Sequence, residues 1–349
     1  MKIEKNKELK ELTTMGISAK ARWFVEYDSI EELRYALKLF GQGAAPEGEP
    51  EPSRPILHIG GGSNLLFLQD YDGCVLHSGI KNTSIMEEDE GSVTLRVGAG
   101  IVWDTFVDEC LQKGYYGLEN LSGIPGEVGA SAVQNVGAYG TEAKDFIVRV
   151  ETIDLNTGET RIFHAQECHY AYRHSIFKQP ELFGRYAVTY VHYRLNKTFS
   201  PQLSYAALNK AWECLPSEAK SKASAIRSIV ISMRNEKLPD PHILGNCGSF
   251  FMNPIITKHK FESLQAEYPD IPAFAATDGM VKVPAAWLIQ QCGWKGKRIG
   301  NCGVYEHQAL VLVNHGGATG KELAALSDSI RASVQERFDI DIHPEANFI

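Results

Sequence analysis

The sequence predicts an α+β fold, in which helices and β-strands occupy different stretches of the chain. Three observations indicate this class. A helical pattern begins at Ser29, short strand patterns then follow as far as residue 195, and helical patterns prevail beyond residue 200. The change near residue 200, in a chain of 349 residues, predicts two domains.

The first predicted helix begins after Ser29. Ser29 and Glu32 have the spacing of a capping box, which satisfies backbone N–H groups at a helix start. Apolar residues then recur with helical spacing at Ile30, Leu33, Leu37 and Phe40. Residues 41–55, GQGAAPEGEPEPSRP, contain four prolines and three glutamates, so they predict a solvated surface loop.

Short apolar or alternating stretches predict the strands that follow this loop. They cover residues 56–59, 74–77, 92–97, 149–155, 161–163 and 187–195. One helical pattern, 102–111, lies among them. The first domain is therefore expected to be rich in β-structure after residue 70.

Helical patterns dominate the C-terminal part of the chain. They cover residues 216–234, 258–267 and 285–291. Residues 309–313 predict a buried strand. Thr319 and Glu322 form a second capping box before a final helix, whose apolar face contains Leu323, Leu326, Ile330, Val334 and Phe338.

Composition excludes several classes of protein. The chain is 44% hydrophobic and 22% charged, which excludes wholesale disorder. A net charge of -8 repels phosphate backbones, so we expect no nucleic-acid partner. We expect no membrane span, since the longest apolar runs are far short of the roughly 20 residues required. The charged N-terminus lacks a signal peptide's apolar stretch, so a cytoplasmic location is expected. Seven scattered cysteines and eleven histidines show neither disulfide nor metal-ligand spacing.

Two glycine-rich segments are candidates for nucleotide binding. In HIGGGSNLLF, residues 58–67, three glycines follow a strand and permit converging backbone N–H groups that bind an anion. A tight turn without a ligand is the alternative, and the spacing does not fit the Rossmann motif. Residues 117–142 are too apolar for a solvated loop and too glycine-rich for a stable helix. They fit a backbone lying against a flat ligand, or a long buried connection. Together the segments favour a dinucleotide-like ligand.

Three further segments carry candidate chemical groups. Arg173, in YRHSIFK, has the fork geometry to bind a carboxylate, although a surface arginine is the simpler interpretation. Ser249 lies in GNCGSFF, which is not a nucleophile elbow, so a serine hydrolase is weakly supported. Glu345 lies in the apolar tail HPEANFI, where burial favours a neutral carboxyl, unless it is a surface glutamate.

Taken in this order, the five segments resemble one family, the UDP-N-acetylenolpyruvoylglucosamine reductases (UDP-N-acetylmuramate dehydrogenases) of bacterial cell-wall synthesis. The resemblance extends from about Met15 to Ile349. Residues 202–208, QLSYAAL, and the break before Pro216 are similar to the tyrosine-loop subtype of that family.

The resemblance implies an FAD-binding part of the vanillyl-alcohol-oxidase (PCMH) type over residues 1–200, in two lobes of roughly 1–80 and 81–200. An α+β substrate-binding domain, 201–349, would follow, with its C-terminal tail returning to the active site. The implied activity is the NADPH-dependent, FAD-mediated reduction of UDP-N-acetylglucosamine-enolpyruvate to UDP-N-acetylmuramate. FAD would be bound non-covalently in a cytoplasmic monomer, without a metal.

The resemblance also implies roles for individual residues. The catalytic residues would be Arg173, Ser249 and Glu345. The flavin nucleotide would be held by Gly60, Gly61, Gly62, Ser63, Asn64, Ile124, Pro125, Gly126, Gly129, Gln134, Asn135, Gly137, Ala138, Tyr139 and Gly140. The substrate would contact Tyr139, Arg173, Tyr205, Lys237, Asn253, Lys295 and Gln308.

Two departures from the family pattern and two alternatives remain. The 41–55 loop is expected to be an insertion remote from the chemistry. Asn347 occupies a position where many tyrosine-loop relatives carry arginine, which weakens one anion contact. The nearest alternative is an FAD-dependent alcohol or 2-hydroxy-acid oxidase, some of which tether flavin through a histidine such as His58. The other is a non-catalytic nucleotide-binding module.

Overall fold

The structure, a computed structural model, describes residues 1–41, 55–276 and 279–349. The predicted loop at 41–55 therefore lies almost wholly outside the described residues. The helices are α1 Ile30–Phe40, α2 Trp103–Gln112, α3 Val128–Gln134, α4 Ala206–Glu213, α5 Ser217–Lys220, α6 Ala223–Lys237, α7 Lys258–Glu267, α8 Ala285–Gln291 and α9 Gly320–Phe338.

The longer strands build the main sheets, and short pairs complete them. The strands of the first half are β1 Lys2–Glu8, β2 Lys20–Tyr27, β3 Ile56–Ile59, β4 Leu65–Leu66, β5 Tyr71–Ser78, β6 Thr83–Glu88, β7 Ser92–Gly98, β8 Gly137–Ala138, β9 Thr141–Glu142, β10 Ile147–Asp154, β11 Thr160–His164 and β12 Tyr186–Asn196. Those of the second half are β13 Gly245–Asn246, β14 Ile255–Thr257, β15 Phe274–Ala275, β16 Met280–Lys282, β17 Arg298–Ile299, β18 Cys302–Val304, β19 Leu312–Asn314 and β20 Asn347–Phe348.

The chain divides into two compact units. The first contains residues 1–7, 21–62 and 71–234, and the second contains residues 8–20, 63–70 and 235–349. The sequence suggests a boundary near residue 200, whereas the structure keeps the chain with the first unit as far as Arg234. The reason is packing within that unit, because Arg227 on α6 donates to Asp104 on α2 at 2.5 and 2.8 Å.

The described residues of the first unit form two larger sheets and the two-stranded sheet β8-β9. One has the order β1-β2-β5-β3, with β5 parallel to both β2 and β3. The other is antiparallel, with the order β11-β10-β12-β7-β6. Helix α1 buries Leu33, Leu37 and Phe40 as its apolar spacing predicts. Ser29 accepts from the N–H of Glu32 at 3.1 Å, but the Glu32 carboxylate accepts from Asp28, so the capping box is only half formed.

The second unit has its own core around helix α9. A four-stranded sheet, β13-β19-β18-β17, and a three-stranded sheet, β14-β16-β15, belong to this unit. Helix α9 begins with the predicted capping box of Thr319 and Glu322 and buries its apolar face in the core. Helices α7 and α8 have the bounds that the sequence predicts.

Three local predictions are wrong. Residues 216–234 form two helices, α5 and α6, rather than one. Residues 309–311 are buried but turn before β19, because Val311 donates to the carbonyl of Gln308 at 3.1 Å. The glycine-rich stretch 117–142 does contain a helix, α3, since Gly129 packs so closely on Ala99 that a Cβ would lie 2.9 Å from that residue's Cβ.

The described residues contain no helix long and apolar enough to cross a bilayer. They also contain no group of three His, Cys, Asp or Glu side chains arranged to hold a metal. All seven cysteines lie in the described ranges as free thiols, and five of them are buried.

A charged network crosses the antiparallel sheet of the first unit. Glu151 on β10 accepts from Arg96 on β7 at 2.8 and 2.7 Å, and it lies 2.6 Å from Nε2 of His192 on β12. Partial burial disfavours the charged carboxylate, but the hydrogen bonds from Arg96 and His192 outweigh it and lower the pKa of Glu151 to about 2. The network therefore favours the folded state wherever Glu151 is ionised.

Glu151→Gln is expected to lower the free energy of unfolding near neutral pH by about 1–3 kcal/mol, because Arg96 loses its charged partner. The wild-type contribution is complete above the ordinary glutamate pKa of 4.5 and is lost as the pH falls toward about 2. Thermal unfolding followed by circular dichroism at pH 7 and pH 3 measures this. An equal Tm difference at both pH values would contradict the assignment.

Candidate active site

The first glycine segment forms a tight turn after β3. Gly62 has a φ of +60°, and its N–H donates to the carbonyl of Gly60 at 2.8 Å. A Cβ on Gly61 would lie only 3.3 Å from Cα of Gly126. The two glycine-rich segments therefore touch each other through their backbones, a contact that the sequence does not predict.

The second glycine-rich segment is anchored to helix α2. The indole N–H of Trp103 donates to the carbonyl of Leu121 at 2.9 Å, and the backbone N–H of Trp103 donates to Gly126 at 3.0 Å. Residues 122–125 are thus held at both ends. Gly60, Gly61, Ile124 and Gly126 are half-buried, as a nucleotide-binding backbone should be.

An arginine from α6 completes this anchor. Arg234 donates from Nε to the carbonyl of Gly123 at 3.0 Å, and the N–H of Gly123 donates to Asp104 at 2.6 Å. Burial lowers the pKa of Arg234, and the nearby charge of Arg173 acts in the same direction. Two guanidinium groups, those of Arg234 and Arg173, therefore act on each other in this part of the first unit, and the carboxylate of Asp104 also acts on Arg234.

Helix α3 ends at Asn135, which takes a left-handed conformation with a φ of 44°. Its fully buried side chain donates to Ala171 at 2.9 Å and to Glu142 at 3.0 Å, and it accepts from the N–H of Lys144. Asn135 was predicted to contact the cofactor. Its side chain joins the glycine-rich segment to the turn that carries the candidate arginine, and the cofactor contact of Asn135 stays a prediction.

Arg173 is held by contacts within the first unit. Its backbone has a φ of 54°, and Nη2 donates to the carbonyl of Gly137 at 2.8 Å. The ammonium of Lys178 bridges the carbonyl of Arg173, at 3.0 Å, and Oε1 of Gln134, at 2.9 Å. Arg173 therefore lies beside the predicted flavin-lining residues, which a simple surface arginine would not do.

Two predicted aromatic residues meet in the first unit. The rings of Tyr139 and Tyr205 are edge to face, with centroids 5.3 Å apart. Tyr139 has a φ of 48°, and the side chain of Asn120 donates to its carbonyl and to that of Gln202. The predicted tyrosine loop is therefore fastened to the glycine-rich segment.

The second unit brings Ser249 and Glu345 onto neighbouring backbone. The N–H of Glu345 donates to the carbonyl of Phe250 at 2.7 Å, and the N–H of Met252 donates to His343 at 2.9 Å. Ser249 is exposed, whereas Glu345 is half-buried. Burial raises the pKa of the Cys247 thiol to about 12, and the nearby Glu345 carboxylate adds to this shift.

The C-terminal tail also pairs with the segment that follows the glycines. Asn64 donates from its side chain to the carbonyl of Glu345 at 3.0 Å, and the N–H of Asn347 donates to the carbonyl of Asn64 at 3.0 Å. Strands β4 and β20 then run parallel. The side-chain amide of Asn347 donates to the carbonyl of Asn64 at 3.3 Å and supplies no positive charge.

Four residues predicted to bind the nucleotide sugar lie in the second unit, two as exposed lysines and two as amides bonded to the backbone. Lys237 and Lys295 are exposed. Asn253 accepts from the N–H of Ala285 at the start of α8 at 2.9 Å, and Gln308 accepts from the N–H of Leu310 at 3.3 Å. The two lysines present charge at the surface, while the two amides also stabilise local turns.

Sequence reasoning missed four residues that organise the site. Asp104, Lys178, Asn120 and Arg234 lie outside the predicted segments or make contacts with residues distant in sequence. The available signals were the positions of Lys178 in YRHSIFK and of Asn120 in residues 117–142, and of Arg234 three residues before the predicted Lys237 on a helical pattern.

His58, the residue to check for a covalent flavin link, lies in a buried pair. Its Nε2 is 2.7 Å from the hydroxyl of Tyr27. Burial, with a smaller effect of His77, lowers its pKa to about 3, so the imidazole is neutral. One ring nitrogen is thus already engaged with the protein.

These features fit a dinucleotide cofactor. The lack of side chains at Gly60 and Gly61 lets the first glycine segment pack closely against the second, since a Cβ added at either position would meet the second segment at 3.3 Å. The first unit therefore defines a protein that binds a flavin-type nucleotide, and residues 23–163 match the family model described as an FAD binding domain. Residues 240–349 match the model of the C-terminal domain of UDP-N-acetylenolpyruvoylglucosamine reductase.

Curated relatives carry the same name over the full chain. The reductase of Bacteroides fragilis strain YCH46 is 52% identical over 96% of this chain and 97% of its own length. That of Porphyromonas gingivalis strain ATCC 33277 is 46% identical over 100% of both chains. This chain belongs to the UDP-N-acetylenolpyruvoylglucosamine reductase family, as its motifs predicted.

A solved structure supports the fold. The crystal structure of UDP-N-acetylenolpyruvylglucosamine reductase from Thermus caldophilus has a TM-score of 0.67, with 23% identity over 100% of this chain and 99% of that chain. The prediction of an α+β FAD-binding fold with a C-terminal domain is thereby confirmed.

Gly61→Ala is expected to weaken FAD binding by about tenfold, or 1.4 kcal/mol, because the new methyl group would push on Gly126. Quenching of flavin fluorescence during titration of the apoprotein measures the affinity. Gly91→Ala is the control, since a Cβ there would lie 3.7 Å from Asp89 in an exposed turn. Unchanged FAD affinity in Gly61→Ala would show that the touching backbones do not shape the site.

Proposed function

We propose that this chain reduces the enolpyruvyl group of UDP-N-acetylglucosamine-enolpyruvate to give UDP-N-acetylmuramate, a step of peptidoglycan precursor synthesis, using FAD and NADPH. The observation that carries the proposal is the membership of the whole chain in the reductase family. The contact between the two glycine segments supports it, because it provides the backbone cradle that the cofactor needs.

The cofactor supplies hydride chemistry. When bound, FAD would supply hydride transfer between NADPH and the terminal carbon of the enolpyruvyl group. The glycine turn at residues 60–62, with Ser63 and Asn64, would hold its diphosphate. Residues 124–129 and 134–140 would line its ring system.

Arg173 and Glu345 would stabilise the charge that hydride addition creates. Addition at the terminal carbon leaves negative charge on the neighbouring carbon, delocalised into the substrate carboxylate. The guanidinium of Arg173 offers two parallel N–H donors to those oxygens. The Glu345 carboxyl group would supply another hydrogen bond to the same oxygens. Preorganised donors of this kind typically contribute a few kcal/mol each.

Ser249 would complete the reaction as the proton donor. Its exposure leaves the hydroxyl accessible to a substrate, and its backbone neighbour Phe250 is bonded to Glu345. A serine hydroxyl is a weak acid, so a nearby cation must stabilise its conjugate base. Lys237, exposed at the end of α6, is the candidate for this cation.

The remaining predicted residues would bind the uridine diphosphate part of the substrate. They are Tyr139, Tyr205, Lys237, Asn253, Lys295 and Gln308. The lysines would neutralise the diphosphate, and the tyrosine pair would cover the nucleotide. We also propose that the enzyme is cytoplasmic and monomeric. Light scattering of the purified protein measures its oligomeric state.

The visible spectrum tests the function. The purified protein should be yellow, lose its 450-nm band on anaerobic addition of about one equivalent of NADPH, and regain it when UDP-N-acetylglucosamine-enolpyruvate is added. Mass spectrometry should then detect UDP-N-acetylmuramate. Failure of the enolpyruvyl sugar to restore the band would overturn the proposal, and bleaching by an alcohol or 2-hydroxy acid would favour the oxidase alternative.

A further inference from the structure

Three ionisable side chains form a continuous chain behind the glycine turn. Nε2 of His77, on β5, lies 2.8 Å from Oε1 of Glu127, and Nδ1 lies 3.1 Å from Oε2 of Glu26 on β2. The side chains of His77 and Glu127 are 14% and 10% exposed, whereas that of Glu26 is 41% exposed. The chain thus connects a surface carboxylate to a buried one.

The geometry requires a charged imidazole. Each ring nitrogen of His77 faces a carboxylate oxygen, so each must carry a hydrogen to make a hydrogen bond. Burial disfavours the charged ring, but the bonds to Glu127 and Glu26 outweigh it and raise the pKa of His77.

Glu127 lies directly against the glycine turn. Its Oε2 is 3.3 Å from the place of a Cβ on Gly60, and its Cγ is 3.6 Å from that on Gly61. This Oε2 is buried and has no hydrogen-bond partner among the residues that the structure describes. Among the residues that the structure describes, His77 is therefore the hydrogen-bond partner of this carboxylate. A shift of Glu127 is expected to disturb the turn, because its side chain lies against Gly60 and Gly61.

Within the described part of the chain, the other groups packed around His77 add no competing charge. Phe24 on β2 stacks on its ring with centroids 6.3 Å apart. His58 on β3 is neutral, because burial lowers its pKa to about 3. Tyr27 on β2 is bonded to His58, and burial raises its pKa, so it also stays neutral. Glu26 and Glu127 are thus the charges that determine the state of His77.

We propose that Glu26, His77 and Glu127 form a positioning relay for the FAD site, in which protonated His77 fixes Glu127 beneath the glycine turn and so holds the two glycine segments at their binding distance. The inference rests on the proposed function only in that the ligand is FAD. Glu26 and His77 lie outside the predicted site, and Glu127 lies within the 124–129 stretch that is predicted to line the flavin, although it is not one of the named contacts. Each of the three is proposed to act by positioning the backbone.

The relay makes FAD affinity depend on pH. When His77 loses its proton, one nitrogen presents a lone pair to a carboxylate, and either Glu127 or Glu26 loses its bond. Because the pKa of His77 is raised, the relay is intact at low pH and is lost as the pH rises through that value. FAD affinity should therefore fall on the alkaline side.

Titration of the apoprotein with FAD between pH 6 and pH 9, followed by flavin fluorescence, tests the relay. The wild-type Kd should rise by about tenfold across this range, the effect of one pKa unit of coupling. Glu127→Gln should bind FAD about tenfold more weakly at pH 6 and lose the pH dependence. Glu26→Gln should still bind FAD tightly at pH 6. The pH at the midpoint of the change in Kd should be lower than in the wild type, because one of the two carboxylates that stabilise the charged form of His77 is gone.

Glu151→Gln is the matched control. It also breaks a carboxylate–histidine pair, with His192, but in the antiparallel sheet. It should lose stability while retaining the wild-type pH profile for FAD. Circular dichroism confirms folding of each variant, and the exposed Glu26 provides a mild variant if Glu127→Gln does not fold.

Two outcomes would overturn the relay. They are a flat pH profile in the wild type, or an unaltered profile in both Glu26→Gln and Glu127→Gln. Tight FAD binding that does not change with pH would contradict the relay but not the proposed function. Absence of FAD binding at every pH would remove both.

Discussion

Ser249→Ala is expected to slow reoxidation of the reduced enzyme by the enolpyruvyl sugar by about 10²–10⁴, while NADPH still reduces the enzyme at the normal rate. The reason is that the hydroxyl is needed only when the substrate carbon receives its proton. Stopped-flow absorbance at 450 nm measures the two half-reactions separately.

The control is a serine that is remote in role but lies in the same unit. Ser263 is exposed on α7 and donates to the carbonyl of His259 at 3.0 Å, so Ser263→Ala should leave both half-reactions unchanged. Ser249→Cys, which retains a proton donor, should recover part of the lost rate. Equal slowing of the two half-reactions in Ser249→Ala would contradict the proposed role of Ser249 as the proton donor.

Arg173→Lys is expected to lower kcat by about 10²-fold although the charge is kept. Lysine offers a point charge instead of two parallel N–H donors, and it loses the bond from Nη2 to Gly137 that orients the guanidinium. Steady-state kinetics should show the loss mainly in kcat, because the donors act on charge that develops during the reaction.

Arg161→Lys is the matched variant in the first unit. Arg161 is exposed and lies over the ring of Phe163 at 4.3 Å. Near-normal turnover is expected there. Near-normal turnover in Arg173→Lys would show that Arg173 is an ordinary surface arginine without a catalytic role.

The fold could be predicted from the sequence where local signals act alone. Helices α7 and α8 were predicted with their observed bounds, because amphipathic spacing and flanking prolines or a capping threonine define them. Strand β1 was missed, since KIEKNKE is mostly charged and exposed, and only its pairing at a sheet edge makes it a strand. Helix α3 was missed because close packing at Gly129 offsets a poor helix propensity.

The candidate site could be predicted segment by segment but not as a set of contacts. The positions of Arg173, Ser249 and Glu345 came from family resemblance, since no single motif defines their chemistry. The partners that orient the site are far away in sequence. Arg234 and Gly123 are 111 residues apart, and His77 and Glu127 are 50 apart, so only the folded chain places them together.

The backbone at Asn135, Tyr139 and Arg173 has φ values of 44°, 48° and 54°, which side chains other than glycine rarely adopt. Each such residue costs on the order of 1–2 kcal/mol relative to ordinary backbone, with asparagine at the low end. Glycine at Tyr139 or Arg173 would relieve this cost, but it would delete a group proposed to serve binding or catalysis. Glycine at Asn135 would also remove three buried hydrogen bonds. Substitutions intended to increase thermostability should therefore be placed on exposed helices. Around Asn135, Tyr139 and Arg173, a gain in stability is expected to reduce catalytic activity.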